Sequence, residues 1–203
     1  MARNAQATSR RIVDAAYGLF YREGFAHVGV DAIAKAAGIT KRTLYYHFPS
    51  KDDLVAAVLD AQHELALKRV DHWIGRTDDD PAAMVAAVFA EFAKWSSQPG
   101  WRGSGFTRAA MEFARSPGHP ARKAARRHKA TVETLLAEQL DKRGIVPAWK
   151  LARQVVLLIE GCHALTLIHG EPGYAHAACE AAQILVAQSA PRQAKEGRIA
   201  AGR

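Results

Sequence analysis

Apolar residues along this chain recur at intervals of three and four, which places them on single faces of α-helices rather than on faces of strands. Ile12, Ala15, Ala16, Leu19 and Phe20 predict a first helix from Ser9 or Arg10 to Glu23. Gly24 ends it, with Arg22 in the last turn where a cation is favoured. Residues 1–8 read as disordered, with Arg3 a candidate basic arm, and Phe25 and Val28 are expected to seal a small core. Val30, Ile33, Ala34 and Ala37 form a second stripe closed by Gly38, which can take positive φ and turn the chain sharply. A third, short helix follows through Phe48, capped by the Thr40 hydroxyl and stopped by Pro49. Leu44 and Phe48 share its inward face, while Lys41, Arg42, Thr43, Tyr45 and His47 occupy the other.

Ser50, with Asp53 three residues on, restarts the chain as a helix from Lys51 to about Ile74, carrying Leu54, Val58, Leu65, Val70 and Trp73. Gly75 and the run Asp78, Asp79, Asp80 break that pattern. Asp80 and Pro81 then open a helix to Ser97 with a broad apolar face. A short helix from Phe106 to Ala114 and longer ones over Pro120–Arg143, Pro147–His169 and Tyr174–Gln188 complete the series. The cluster Arg122, Lys123, Arg126, Arg127 and Lys129 reads as a solvated face, and the tail from Pro191 as disordered. There is no strand signal and no internal repeat, so the fold class is all-α.

The helix, glycine turn and second helix over residues 30–48 form a helix-turn-helix pattern. Residues 9–55 resemble the N-terminal domain of the TetR/AcrR family of transcriptional repressors. The resemblance is carried by Ile12, Ala15, Ala16, Leu19, Phe20, Gly24, Phe25, Ile33, Ala34, Ala37 and Gly38, then by the run Thr43 to Phe48 with Ser50, Lys51 and Leu54. Gly29 departs from the family's usual Ser or Thr cap, and Arg42 stands where a small residue is frequent. The resemblance implies a DNA-binding domain over 1–50 and a helical ligand-binding and dimerisation domain over 51–190, and composition leaves residues 191–203 as a tail. Lys41 and Arg42 are the candidates for base contact, because a guanidinium pairs bidentately with guanine O6 and N7. Thr43 suits a thymine methyl or a phosphate. Thr40, Tyr45, Tyr46, His47 and Lys51 fall at backbone-positioning places by resemblance, with packing against the core the alternative for Tyr46.

The resemblance further implies a small-molecule effector in the C-terminal helices, which moves the helix from Lys51 and respaces two reading heads, and Trp95, Trp101 and Phe106 point to an apolar or aromatic one. The expected lining is Phe89, Phe92, Trp95, Phe106, Met111, Phe113, Leu158 and Cys162, each also readable as plain core. The last two predicted helices form an antiparallel hairpin, which by resemblance is the homodimer interface and otherwise packs within the chain.

Charge sharpens this picture. The formal net charge is +8, and residues 1–51 hold eight Lys/Arg against three Asp/Glu, so most of the excess coincides with the helix-turn-helix. Two cysteines give no disulfide framework and fit a reducing cytoplasm, the expected location. Residues 1–11 have no apolar segment after their basic residues, so a secretory signal is not expected. The apolar run Leu151–Gly170 is interrupted by Arg153, Glu160 and His163, so no membrane partner is expected. Catalysis finds little support: Gly103, Ser104 and Gly105 have neither nucleophile-elbow nor dinucleotide spacing. Glu160 and His163 are half of a carboxylate-bundle metal motif without a second half, so neither metal nor cofactor is expected. The competing reading is a helical small-molecule-binding protein whose helix-turn-helix no longer functions.

Overall fold

The computed structural model describes residues 2–75 and 80–191, with side chains from Asn4 to Ser189. Asp78, Asp79 and the tail beyond Pro191 lie outside the described residues, as does the side chain of Arg3. Nine helices run in order among the described residues: α1 (Ala2–Glu23), α2 (Val30–Ala36), α3 (Lys41–His47), α4 (Lys51–Ile74), α5 (Pro81–Ser96), α6 (Gly105–Glu112), α7 (Pro120–Lys142), α8 (Ala148–His169) and α9 (Gly173–Ala187).

Caps set most boundaries. Thr40, Ser50 and Ser104 each accept the amide three residues on, and Asp80 accepts those of Ala82 and Ala83 before the Pro81 start. Gly29 leaves α2 without a side-chain cap. At the other end of α2, Gly38 takes φ 62°, its N–H bonds the Lys35 carbonyl and Ile39 N–H bonds that of Ala34. This paired closure reverses the chain into α3 within a few residues.

Two sequence expectations are corrected. The first helix begins at Ala2, so residues 2–8 are helical rather than disordered. They lack Gly and Pro and include three alanines, and the Thr8 hydroxyl bonds the Asn4 carbonyl at 2.9 Å. The apolar stripe starts only at Ile12, so these solvent-facing turns had no periodic signal. A two-residue antiparallel ladder also exists, β1 (Ile145–Val146) with β2 (Ala190–Pro191), pairing Ile145 with Pro191 and Val146 with Ala190. Two residues are too few to show alternation.

Buried side chains gather in two clusters. The first joins Ile12, Phe20, Phe25, Ile33, Leu44 and Leu54 to Phe106, Ala109, Ala121 and Ala125 of α6 and α7. Phe20 and Phe25 stack at 5.2 Å between centroids, and each is completely buried, worth roughly 1.5–3 kcal/mol apiece. The second joins Trp73, Met84, Phe89, Phe92, Leu136, Leu151, Val155 and Ala182. Helix α4 contributes its first half to one cluster and its end to the other. α7 packs along α4 and α8, and α9 packs against α5 and α8.

Candidate nucleic-acid interface and internal cavity

Leu44 and Phe48 are buried under α3, so the opposite face of this short helix is turned to solvent. Thr40 and Thr43 bond through their hydroxyls at 2.9 Å, besides the cap bond at 3.1 Å. Lys41 and Arg42 are both exposed. Lys41 Nζ is paired with Asp31 Oδ2 at 3.0 Å, and the hydrogen bond and charge of Asp31 raise its pKa. Arg42 has no ion-pair partner among the described residues. Tyr45 is exposed, and Tyr46 is 82% exposed with His47 edge-on to it, so Tyr46 does not join the core. Lys51 Nζ donates to the Ala26 carbonyl at 2.8 Å, and burial lowers its pKa despite the neighbouring Asp52 and Glu112.

The helix-turn-helix is fastened to the rest of the chain through α6. Ala26 N–H donates to Glu112 Oε2 at 2.7 Å, so one peptide is held by Lys51 on one side and α6 on the other. Tyr21 Oη donates to the Gly103 carbonyl at 3.2 Å and accepts from Arg102 N–H at 2.8 Å. Arg108 reaches back to the Tyr21 carbonyl at 2.8 Å.

Behind this junction lies a cavity of about 120 Å³ bordered by α1, α4, α5, α6, α7 and α8 and by the turn leading into α6. Tyr17, Tyr21 and Phe25 form one side, Arg69, Trp73 and Trp95 another, and Phe106, His128, Lys129, Glu160 and His163 the floor. Leu59, Val70, Val88, Val132, Leu136, Val156 and Ile159 make much of the remainder apolar. On the floor, Glu160 accepts from Lys129 Nζ through Oε1 and from Thr107 Oγ1 at 2.8 Å through Oε2. Lys129 also donates to Ser104 Oγ at 3.2 Å. Burial pushes the Glu160 carboxyl up, but Lys129, His163 and the two hydrogen bonds outweigh it and hold it below its ordinary value. Burial and the Lys129 charge depress His163 to about 4. His128 stacks on Phe106 at 3.8 Å and shares a 3.0 Å Nδ1–Nδ1 contact with His63. Burial, with Lys129 and His63, lowers it to about 3, so both floor histidines are neutral near pH 7. Arg69 lies with its guanidinium carbon 4.6 Å over the Trp95 ring, and burial lowers its pKa too.

Known proteins resemble this chain both in the helix-turn-helix sequence and in the whole fold. The family model "Bacterial regulatory proteins, tetR family" matches residues 12–58. The HTH-type transcriptional regulator TtgR of Pseudomonas putida is 43% identical over 60 residues, 30% of this chain and 29% of that protein. UidR of Escherichia coli is 41% identical over 69 residues, 34% of this chain and 35% of that protein. These sequence matches therefore span about a third of the relatives' length. Among solved structures, a TetR-family transcriptional regulator from Streptomyces coelicolor superposes with TM-score 0.80 at 28% identity, covering 89% of this chain and 95% of that one. A TetR transcriptional regulator from Chloroflexus aurantiacus shares the fold at TM-score 0.79, covering 92% and 97%. Residues 12–58 match the N-terminal DNA-binding domain of the TetR family, and the chain has the fold of TetR-family regulators.

Within this TetR-family fold, the eight residues read as DNA-facing lie together on α3 and at its two junctions. Of the eight read as pocket lining, Trp95 and Phe106 border the cavity. Phe89 and Phe92 are spent in the second core cluster, where Phe92 meets Trp95, Trp101 and His163 edge-on. Leu158 packs against that cluster, and Cys162 is buried with its thiol toward the Tyr174 carbonyl at 3.4 Å. Burial raises the Cys162 thiol to about 11. Met111 is 72% exposed, and Phe113 stacks on His119 outside the cavity.

The sequence reading missed Tyr17, Tyr21, Arg69, His128, Lys129, Glu160 and His163 as lining. Tyr17 and Tyr21 belong to a helix assigned to DNA binding, and Lys129 to a cluster read as solvated. Within that cluster, Arg127 does face solvent and pairs with Asp60 at 2.5 Å, whereas Lys129 is half-buried. The available signals were the four-residue spacing of the tyrosines and the placement of Lys129 beside His128 on a face continuing the apolar stripe.

Proposed function

We propose that this chain is a homodimeric transcriptional repressor that binds a palindromic operator through α3 and is released when a small molecule occupies the internal cavity. The observation that carries the reading is the exposed polar face of α3, with Arg42 unpaired above the buried Leu44 and Phe48. In this reading residues 1–50 form the reading head and 51–190 the effector and dimer domain. Arg42 and Lys41 contact bases, Thr43 a thymine methyl or phosphate, and Thr40, Tyr45, Tyr46, His47 and Lys51 position the backbone. Release is supported by the cavity's borders: α1 contributes Tyr17 and Tyr21 beside residues of α4, α7 and α8. A molecule bound there touches the reading head directly and needs no long relay.

Dimerisation is supported by α8 and α9, which leave Leu157, Leu165, Ile168 and Ile184 exposed on the single chain. By length and composition α8 is also apolar enough to cross a membrane. Its Arg153 pairs with Glu133 and its Glu160 with Lys129, which suits packing against α7 instead. The relatives named above are called transcriptional regulators, in keeping with a non-enzyme.

The test is a titration of the full chain against DNA recovered from a random-sequence selection and against a scrambled control, at two salt concentrations. Selective binding that weakens steeply with salt is expected. Failure of any sequence to be enriched overturns the DNA-binding reading in favour of a helical small-molecule-binding protein.

A further inference from the structure

We infer that the cavity takes a monoanionic organic acid, an apolar or aromatic body bearing one carboxylate held by Arg69. This rests on the cavity being the effector site and adds the charge and chemical class of the occupant. The charges on its walls are Arg69, Lys129 and Glu160. Glu160 is already occupied by Lys129 and Thr107, so these groups leave little net charge on the floor. Arg69 is different. No carboxylate lies within ion-pair distance of it among the described residues, and the polar groups that share the wall with it include the phenols of Tyr17 and Tyr21, whose charges act on it, and the neutral His163.

A half-buried guanidinium without an anion is an unfavourable arrangement that a bound carboxylate relieves. The planar fork matches the two oxygens of a carboxylate, and its central carbon lies 4.6 Å from the centre of the Trp95 ring, a cation–π contact that helps to hold it in the wall. Tyr21 is engaged with Gly103 and Arg102, but no hydrogen bond of the Tyr17 hydroxyl exists among the described residues, which leaves it as a donor beside the same site. The surrounding wall from Leu59, Val70, Val88 and Ile159 demands an apolar body. A cation is repelled by Arg69, a neutral molecule leaves it unpaired, and a dianion brings one negative charge too many.

The experiment titrates the full chain with benzoate, 2-naphthoate and octanoate, each against its primary amide, following tryptophan emission and the heat of binding. At least one carboxylate is expected to bind ten-fold or more tightly than its amide. Arg69→Gln should collapse that ratio to within two-fold while leaving the amide's affinity unchanged. Arg69→Lys, which keeps the charge and loses the fork, should retain a reduced preference, and it serves where the glutamine variant melts early. Equal binding of acid and amide, a preference that survives Arg69→Gln, or no binding by any of the six overturns the inference. The same ligands are added to the complex with selected DNA. An acid that binds through Arg69 without weakening DNA binding supports the ligand class and overturns the effector role. An amide that releases DNA as well as its acid does the reverse.

Discussion

Arg42 and Lys41 are neighbours on α3 but are held differently, and their expected roles separate accordingly. Lys41 must break a 3.0 Å pair with Asp31 before it reaches a base, whereas Arg42 is free to present both ends of its guanidinium. Arg42→Ala should relax base preference at one position per half-site and cost about 1–3 kcal/mol. Repeating the binding-site selection checks this, and an unchanged consensus would remove Arg42 from base contact. A second residue-level expectation concerns His128 and His163, depressed to about 3 and about 4. Each stays neutral in the fold at a pH where the unfolded chain, with an ordinary histidine near 6.5, already takes a proton. Their contribution is therefore complete above pH 6.5 and is lost progressively as pH falls toward 4, by at most about 1.4 kcal/mol per pH unit for each histidine. His63, Lys129 and Glu160 face the pair, and the near contact with His63 further disfavours a second proton. Urea unfolding from pH 7 to 4 should show stability falling with acidity, and His128→Gln should flatten the slope. An unaltered slope would place the acid sensitivity elsewhere.

Among the elements, α6 is the short one that ties the first core cluster to the reading head. Its Glu112 binds Ala26 N–H across 86 residues of sequence, and Ala26 in turn receives Lys51 at the start of α4. Glu112→Gln weakens that bond to one between neutral groups without removing it, while Glu112→Ala deletes it. The alanine variant should bind cavity ligands normally but release DNA less completely, with the glutamine variant intermediate. Parallel titrations with ligand and with labelled DNA separate the two effects, and equal losses in both would mean plain destabilisation. This link also shows where sequence reading stops. The helices were legible because caps such as Thr40, Ser50 and Asp80 and breakers such as Gly38 and Gly170 act within a few residues of themselves. The Glu112 and Tyr21 bonds join segments far apart in sequence, and nothing local marks them. Periodicity likewise says that Phe89, Phe92 and Trp95 are inward, but not that Trp95 meets empty space while Phe89 and Phe92 meet neighbouring side chains. The α3 face was readable for the opposite reason: a helix this short that keeps polar groups on one side needs only its own residues to reveal that side.

For the whole molecule, the question is what covers α8 and α9. Leu157 is 67% exposed, Ile168 70% and Ile184 58%, and Leu157, Gly161, Ala164 and Ile168 follow one another at spacings of four, three and four along a single face of α8. In the proposed dimer, the same hairpin from a second copy, turned by a twofold axis, would cover these residues with their equivalents and join two α3 helices in one assembly. Each reading head of that proposed dimer would raise the local concentration of the other at the adjoining half-site, so affinity for a two-part operator is expected to exceed that of one head by a factor of about 10²–10⁴. Leu157→Arg with Ile168→Arg puts like charges against their own images across the axis. Sedimentation velocity should show this double variant as a monomer at micromolar concentration, with its thermal transition retained because neither side chain lies in a core cluster. Affinity for the full operator should fall by that same factor, while affinity for an isolated half-site stays within two-fold. A variant that remains dimeric would move the interface away from α8 and α9. A monomer that keeps full operator affinity would instead break the connection between dimerisation and DNA reading, and the two outcomes are separated by running both measurements on one preparation.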